Sequence, residues 1–251
     1  MVAVSGRARA TGIAAGVLAD AMFGDPGRGH PVALFGSGAT AVERYSYSDG
    51  RSAGVLHTAG LLGAVAIMGT AAERAGRPRG QWREGMCVAA ATFIALGGTS
   101  LCRTGENMSD LLQHGDTAGA RRLLPSLCGR DPAVLDVAGL TRAALESIAE
   151  NTSDAQVSPL VWAAVGGAPA VLVFRAANTL DAMIGNRSSR YARFGWAAAR
   201  FDDLVNLAGA RLTGVLIAMC APVVGGSPMA AMRAWRRDAR QNAANRAVRG
   251  D

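Results

Sequence analysis

Apolar residues in this chain fall into long uninterrupted runs, not into the alternation of half-buried strands. Four runs, Ser52 to Ala72, Gly85 to Cys102, Ala155 to Phe174 and Leu212 to Met232, contain no Asp, Glu, Lys or Arg. A helix needs roughly 20 mostly apolar residues to span a bilayer, and each run is near that length. A weaker stretch, Ala10 to Ala19, runs straight into Asp20. A soluble helical protein with buried Ala-rich helices is the alternative, but it would have to cover all four runs inside 251 residues. Hydropathy therefore favours the membrane. The pattern predicts an all-α, polytopic integral membrane protein with about four to five transmembrane helices. Residues 1–251 are read as one membrane domain, with an extramembrane helical region over about 103–154, where charges return.

The run at Ala155 to Phe174 contains Pro159, Gly166, Gly167 and Pro169. It is expected to be broken or re-entrant, and irregular backbone at that depth must face protein or water. Arg7 and Arg9 would suit the start of a secretory signal, but the apolar stretch behind them is too short. Arginines crowd Glu73 to Glu84, Arg175 to Arg211 and the tail after Met232 alike, so charge asymmetry assigns no orientation.

Composition sharpens this picture. Half the residues are hydrophobic but only 5% are aromatic, and there are 32 glycines. Ala and Gly thus supply much of the apolar character, and small residues let membrane helices approach closely. The net charge of +7 rests on 26 basic residues, every one an arginine. Without lysine there is neither a Walker A phosphate loop nor a Schiff-base enzyme. Arg forks suit phosphate and carboxylate. The basic residues are dispersed without aromatic interleaving, so nucleic acid is not an expected partner. Cys87, Cys102, Cys128 and Cys220 form no CxxC pair, and His30, His57 and His114 are scattered. No zinc pattern exists and no structural disulfide is expected; Cys87, Cys102 and Cys220 read as small packing residues, and His57 as an interhelical hydrogen bonder. The spacing Gly36-x-Gly38-x-x-Ala41 formally matches a dinucleotide fingerprint, but with no βαβ context its glycines read as helix-packing positions.

The chemistry concentrates in polar segments beside the apolar runs, where charge is costly and usually functional. In LADAMFGDPGRGHPVALFG, Asp25-Pro26-Gly27 and His30-Pro31 predict a rigid loop presenting Asp20, Asp25 and His30 near an interface. Asp131 and Pro132 are placed to start a helix carrying Glu146, Glu150 and Asp154 at successive i,i+4 positions. Like charges stacked this way repel. They are either a solvated face or a site for a divalent metal or a cationic amine. Arg175, Asn178 and Thr179 share a helical face, with Asp181 one turn beyond Asn178 and a helix stop at Gly185 and Asn186. Asp202 and Asn206 are i,i+4, Arg200 and Asp203 are i,i+3, and Arg211 lies two turns on. Intrahelical salt bridges would explain such alternation on a soluble surface. Beside an apolar run, Asp202 and Asp203 look more like Mg²⁺–phosphate ligands, since Mg²⁺ usually takes one or two carboxylates plus substrate oxygens.

Together the segments LADAMFGDPGRGHPVALFG, GRDP, ESIAENTSDAQVSPLVWAAVGGAPA and RAANTLDAMIGNRSSRYARFGWAAARFDDLVNLAGARLTG resemble the cobinamide-phosphate synthase (CobD/CbiB) family of cobalamin biosynthesis. They lie in the family's order over most of Leu18 to Gly214. The resemblance implies a multi-pass cell-membrane enzyme that joins cobyric acid, a corrinoid, to aminopropanol or its phosphate through one propionate carboxylate, using ATP and Mg²⁺. Membrane lipid and other membrane enzymes of the pathway are the implied partners. The family's motif residues map onto Asp25, His30, Glu150, Asn151, Asp154, Asn178, Asp181, Arg200, Asp202, Asp203, Asn206 and Arg211.

For these residues we assign roles from the chemistry. Asp202 and Asp203 are expected to hold Mg²⁺, and Arg200 and Arg211 to bind phosphate. Glu150 or Asp154 would accept the proton of the attacking ammonium, with Asp181 grouped beside them as catalytic. Asn151 and Asn178 would hold corrin amides, and Asp25, His30 and Asn206 would contact substrate.

The chain departs from the family in two places. Gly209 stands where members usually carry Pro, and the chain closes with RRDARQNAANRAVRGD where members continue with a His-Ser-Pro-Asn-Ala-Gly element. A second expectation therefore stands beside the enzyme: a non-catalytic, truncated relative that binds corrinoid or scaffolds other pathway enzymes. A transporter is less consistent, because no inverted repeat relates the halves.

Overall fold

The computed structural model describes residues 6–25, 29–76 and 80–237. Pro26 and Gly27 of the N-terminal loop, Arg77 and Arg79, and the closing residues 238–251 lie outside the described residues. Every secondary-structure element among the described residues is helical. In chain order they are α1 (Gly6–Phe23), α2 (Pro31–Ser46), α3 (Arg51–Gly76), α4 (Gln81–Ala95), α5 (Gly98–Gln113), α6 (Thr117–Leu123), α7 (Val137–Thr152), α8 (Ser158–Ile184) and α9 (Trp196–Cys220). Short 3₁₀ turns join some of them, and residues 228–237 are helical again.

Four helical stretches are long and apolar enough to cross a membrane: Arg51–Gly76, Gln81–Gln113, Val137–Ile184 and Trp196–Val224. Only 17% of the most apolar window of the last is buried within the protein. Leu204, Leu207, Ile217, Met219 and Val223 are exposed along it. An apolar surface of this extent is what a bilayer covers. The chain is an all-α, polytopic membrane protein.

Helix α8 is the hub, packing against α1, α2, α3, α4 and α9. Phe174, Leu180 and Ile184 on α8 meet Leu62 and Val65 of α3, Ala198 and Val205 of α9, and the fully buried Phe194 of the preceding loop. A separate cluster of Met108, Ala120, Leu124, Leu140, Ala143 and Ala144 joins α5, α6 and α7. Small residues set the closeness of approach, as expected: on α1, a Cβ at Gly16 would lie 2.7 Å from the Thr92 Cβ of α4.

The polypeptide from Val137 to Ile184 is one helical rod interrupted twice. The first interruption is a π-turn over Ser153–Val157. Pro159 has no N–H to offer the Ala155 carbonyl one turn back, and that carbonyl instead accepts from the Gly97 N–H at 3.0 Å. The second lies at Gly167, whose φ of 67° and ψ of −151° only glycine adopts readily. There the Ala168 N–H leaves the Ala164 carbonyl and donates to Glu73 of α3 at 2.8 Å. The Val165 carbonyl, facing Pro169, has no N–H one turn on. The Arg9 guanidinium of α1 donates to both stranded carbonyls, at 2.9 and 3.1 Å. The broken run expected over Ala155 to Phe174 is therefore a helix bent in place.

Three local expectations change. Asp131 caps only the 3₁₀ turn Pro132–Val134, its carboxylate accepting from the Ala133 N–H. Asp136 starts α7, accepting from the Gly139 N–H at 2.7 Å, because Leu135 stays extended. The run Leu212 to Met232 is not one helix: α9 ends at Cys220, and Pro222, a left-handed Gly225 and Pro228 turn the chain. Cys102 and Cys220, read as packing residues, are exposed. His57 does bond between helices, its Nδ1 lying 2.8 Å from the Ser46 hydroxyl.

Candidate functional site

The end of α7, the π-turn, the second half of α8 and the stretch of α9 from Asp202 to Ile217 line an open cavity of about 830 Å³. This is toward the upper end of ordinary small-molecule sites, roughly 300–1,000 Å³. Eight residues singled out from the sequence line it: Glu150, Asn151, Asp154, Asn178, Asp181, Asp202, Asp203 and Asn206. They come from three separate stretches, brought together because the π-turn and the α8–α9 crossing converge.

Close packing makes that convergence possible. A Cβ at Gly209 would collide with the Ser158 side chain, so glycine there lets α9 close on the start of α8. Ser158 in turn lies 3.3 Å, hydroxyl to hydroxyl, from Ser153 within the π-turn. The Trp162 indole N–H donates to the Val205 carbonyl at 3.0 Å and fixes the register of α8 on α9.

The cavity is strongly acidic. Glu150, Asp154, Asp181, Asp202 and Asp203 contribute five carboxylates, and among the described residues no Arg or His lines it. Asp202, only 8% exposed, faces the charges of Asp181, Asp154 and Asp203. The Asn206 amide donates to its Oδ2 at 3.0 Å, while Asp202 Oδ1 and Asn206 Oδ1 are buried with no hydrogen-bond partner among the described residues. Asn178 donates to Asp154 Oδ2 at 3.3 Å, and Arg175 donates to the Asn178 carbonyl oxygen at 3.4 Å. Asn151 is held by the Ser147 carbonyl at 2.9 Å. Buried oxygens without donors, amid repelling carboxylates, suit a hard cation or an ammonium. Among the described residues no three His, Cys, Asp or Glu side chains form a metal-holding group by themselves. The oxygen donors here nonetheless fit Mg²⁺, an ion that completes its shell with water and phosphate oxygens.

The remaining predicted residues lie outside this cavity. Arg200 sits on an adjoining cleft, its Nη1 3.9 Å from Asp203 Oδ2. Arg211 is exposed and donates to the Leu207 carbonyl of its own helix at 2.9 Å. His30 caps α2, with Nδ1 accepting from the Val32 N–H at 3.2 Å and Nε2 3.7 Å from Asp25. Asp25 is in electrostatic contact with Arg175, and Arg175 with Asp154. The loop pair is thus coupled to the cavity from behind.

Of the predicted stack of Glu146, Glu150 and Asp154, only Glu150 and Asp154 face the cavity together. Glu146 is taken by Arg130 and Arg142 on the outside, and the π-turn changes the helical register before Asp154. The cavity also has walls that sequence reasoning missed, notably Ser147, Ser153 and Trp235. Trp235 comes from helical residues 228–237 and packs on Gly214, where a Cβ would lie 2.8 Å from its ring. Nothing in the local sequence marks it.

Residues 13–248 match the family described as CobD/Cbib protein. The chain is 61% identical over 239 residues to the cobalamin biosynthesis protein CobD of Mycobacterium tuberculosis, covering 95% of this chain and 75% of that one. It is 41% identical over 233 residues to the protein of the same description from Geobacter metallireducens, covering 90% and 72%, and 42% identical over 201 residues to that of Rhodobacter capsulatus, covering 77% and 62%. No solved structure matches. With the family matched along nearly the whole chain, this protein belongs to the CobD/CbiB family of cobalamin-biosynthesis proteins.

Proposed function

We propose that this protein is a multi-pass cell-membrane ligase of the cobinamide-phosphate synthase type. It condenses a propionate carboxylate of cobyric acid with aminopropanol or its phosphate, consuming ATP. The observation that carries this reading is the convergence of Glu150, Asp154, Asp181, Asp202 and Asp203 with Asn151, Asn178 and Asn206 around one cavity. A corrin macrocycle is too large to enter such a space whole, so the reacting propionate arm reaches in while the ring stays at the mouth.

Amide formation requires the carboxylate to become an acyl phosphate or acyl adenylate, which the amine then attacks, expelling phosphate or AMP. Asp202 and Asp203 are the residues that would hold Mg²⁺, whose charge would offset the repulsion between the five carboxylates and the nucleotide phosphates. Asp154 or Glu150 takes a proton from the ammonium, because only the neutral amine is a nucleophile. Asp181 lies between these two groups of carboxylates, facing Glu150 and Asp203. Asn151 and Asn178 offer amides to the corrin periphery. Arg200, at the rim, faces phosphate. Asp25 and His30 act through Arg175, which holds Asn178 against Asp154. Arg211 is assigned to phosphate as it extends from the exposed side of α9.

The test is an assay on membranes of a host lacking this activity and expressing the 251-residue chain, supplied with cobyric acid, aminopropanol phosphate, ATP and Mg²⁺. A gain of the aminopropanol phosphate mass by the corrinoid, dependent on ATP, is expected. Corrinoid binding without any mass change, in a folded protein, would instead establish the scaffold.

A further inference from the structure

We propose that the end of the cavity formed by Leu207, Ala210, Gly214 and Ile217 of α9, and walled by Trp235, seats one face of the corrin ring. Trp235 is the residue that gives this seat its preference for a flat macrocycle. That the ring is a corrin rests on the ligation reading above; that a flat ring lies here rests on the cavity itself.

One face of α9 lines the cavity, and its chemistry changes along the helix. Asp202, Asp203 and Asn206 come first, and the four apolar residues follow at the steps of three and four that keep side chains on one side. Asp203 and Gly214 are separated by about 16 Å of helix. A ligand matched to this face carries a polar arm at one end and an apolar surface at the other. Leu207 and Ile217 are 50% and 45% exposed, so the apolar end is an open floor and not a closed slot. A purine is small enough to be enclosed. A half-exposed floor suits a broader ring that rests on it while one arm reaches the carboxylates.

The indole is braced against α9. A Cβ at Gly214 would lie 2.8 Å from its Cε2 and 3.1 Å from both Cδ2 and Cζ2. Such even distances set Gly214 over the face of the ring, and any larger residue there would push the indole off the helix. Trp235 is half-buried in this position, and an aromatic ring fixed beforehand loses little freedom when a ligand packs on it. Leu127, Cys128 and Gly129 line the same cavity from the turn before α7. The Ser147 hydroxyl donates to the Leu127 carbonyl at 2.6 Å and holds that turn in place. The turn belongs to the charged stretch between Arg103 and Asp154, so the apolar floor borders polar sequence. Trp suits such a border, with an apolar body and a polar N–H. A corrin has the same mixed character, a flat conjugated ring edged with amide arms, whereas a lipid tail is apolar throughout.

The experiment reads binding apart from turnover. Purified full-length chain in lipid nanodiscs is titrated by calorimetry with cobyric acid, aminopropanol phosphate and Mg²⁺–ATP, in wild type, Trp235→Ala, Trp235→Phe and Gly129→Leu. A Cβ at Gly129 would meet nothing within 4 Å, so a larger side chain there takes up space without strain; thermal melting confirms that each variant folds. Trp235→Ala is expected to lose about 10–50-fold in affinity for cobyric acid, and Trp235→Phe to stay within about threefold of wild type. Gly129→Leu should lose about tenfold, with both phosphorylated ligands held within about twofold throughout. Unchanged affinity for cobyric acid in folded Trp235→Ala overturns the seat, and Gly129→Leu decides if that variant does not fold. A loss confined to Mg²⁺–ATP gives the indole to the purine and also overturns it, as does an equal loss for all three ligands. Wild type that binds cobyric acid through Trp235 yet makes no product refutes the ligation reading and leaves the seat standing. Product formed with a KM for cobyric acid unmoved by Trp235→Ala does the reverse.

Discussion

The two interruptions of the rod from Val137 to Ile184 answer the same physical problem in opposite ways. Each arises where proline withholds an N–H, and each strands backbone groups in an apolar setting, where an unmet group is costly. At Gly167 neighbouring helices bring a matched acceptor and donor, Glu73 for the Ala168 N–H and Arg9 for the two carbonyls. Charge there is consumed by the backbone. At the π-turn the stranded Ala155 carbonyl is met by backbone alone, the Gly97 N–H, and the surrounding side chains remain available. Beside it Asp202 Oδ1 and Asn206 Oδ1 are buried without partners among the described residues. Charge is thus engaged by the backbone at one break and left open at the other, and the difference is whether its oxygens are already spoken for. Single π-turns inside α-helices recur at functional sites for this reason.

The contrast can be broken most sharply at Asp154. Asp154→Asn keeps an acceptor for the Asn178 amide but removes the base, so product formation should fall by about 10²–10⁴-fold, with thermal stability in detergent little changed. Comparable loss of stability would place Asp154 with the structural charges. Glu73→Ala should do the reverse. It leaves the Ala168 N–H unmet and should cost about 1–3 kcal/mol, seen as a lower melting temperature, while turnover per folded molecule changes little. If turnover instead collapses in correctly folded protein, the break at Gly167 belongs to the site. The smallest effect is expected at Glu146→Ala. Its exposed pairs with Arg130 and Arg142 are worth less than about 1 kcal/mol, and activity should persist, marking where along α7 the site begins.

Much of this could be read from residue order. The apolar runs located the spans, and amides and carboxylates at helical spacing named the residues that line the cavity. Pro159, Gly167 and Pro169 announced that the rod would not be straight. What residue order did not reveal depends on distant partners. Arg9 and the carbonyls of Ala164 and Val165 are 155 and 156 residues apart, and an arginine near an N-terminus reads as topology, not as a helix splint. Asp131 and Asp136 are equally good caps in isolation; only the extended Leu135 between them decides. Trp235 carries no local signature, because its position follows from how the chain folds back over α9.

The π-turn also has a consequence for insertions and deletions. It amounts to one extra residue lodged in a helix, and removing one residue between Ser153 and Val157 would restore ordinary winding. Because the wider turn absorbs that extra residue, the flanking halves would stay nearly in phase, and Glu150 and Asn151 would keep their bearing toward Asp181 and Asp202. A one-residue loss in the regular turns of α8 ahead of Asn178 has no such buffer: it would turn Asn178 and Asp181 by about 100° away from Glu150 and Asp154, while every side chain stayed chemically intact. The cavity is therefore a matter of phase along a single rod, protected against a lost codon at the π-turn and unprotected beyond it.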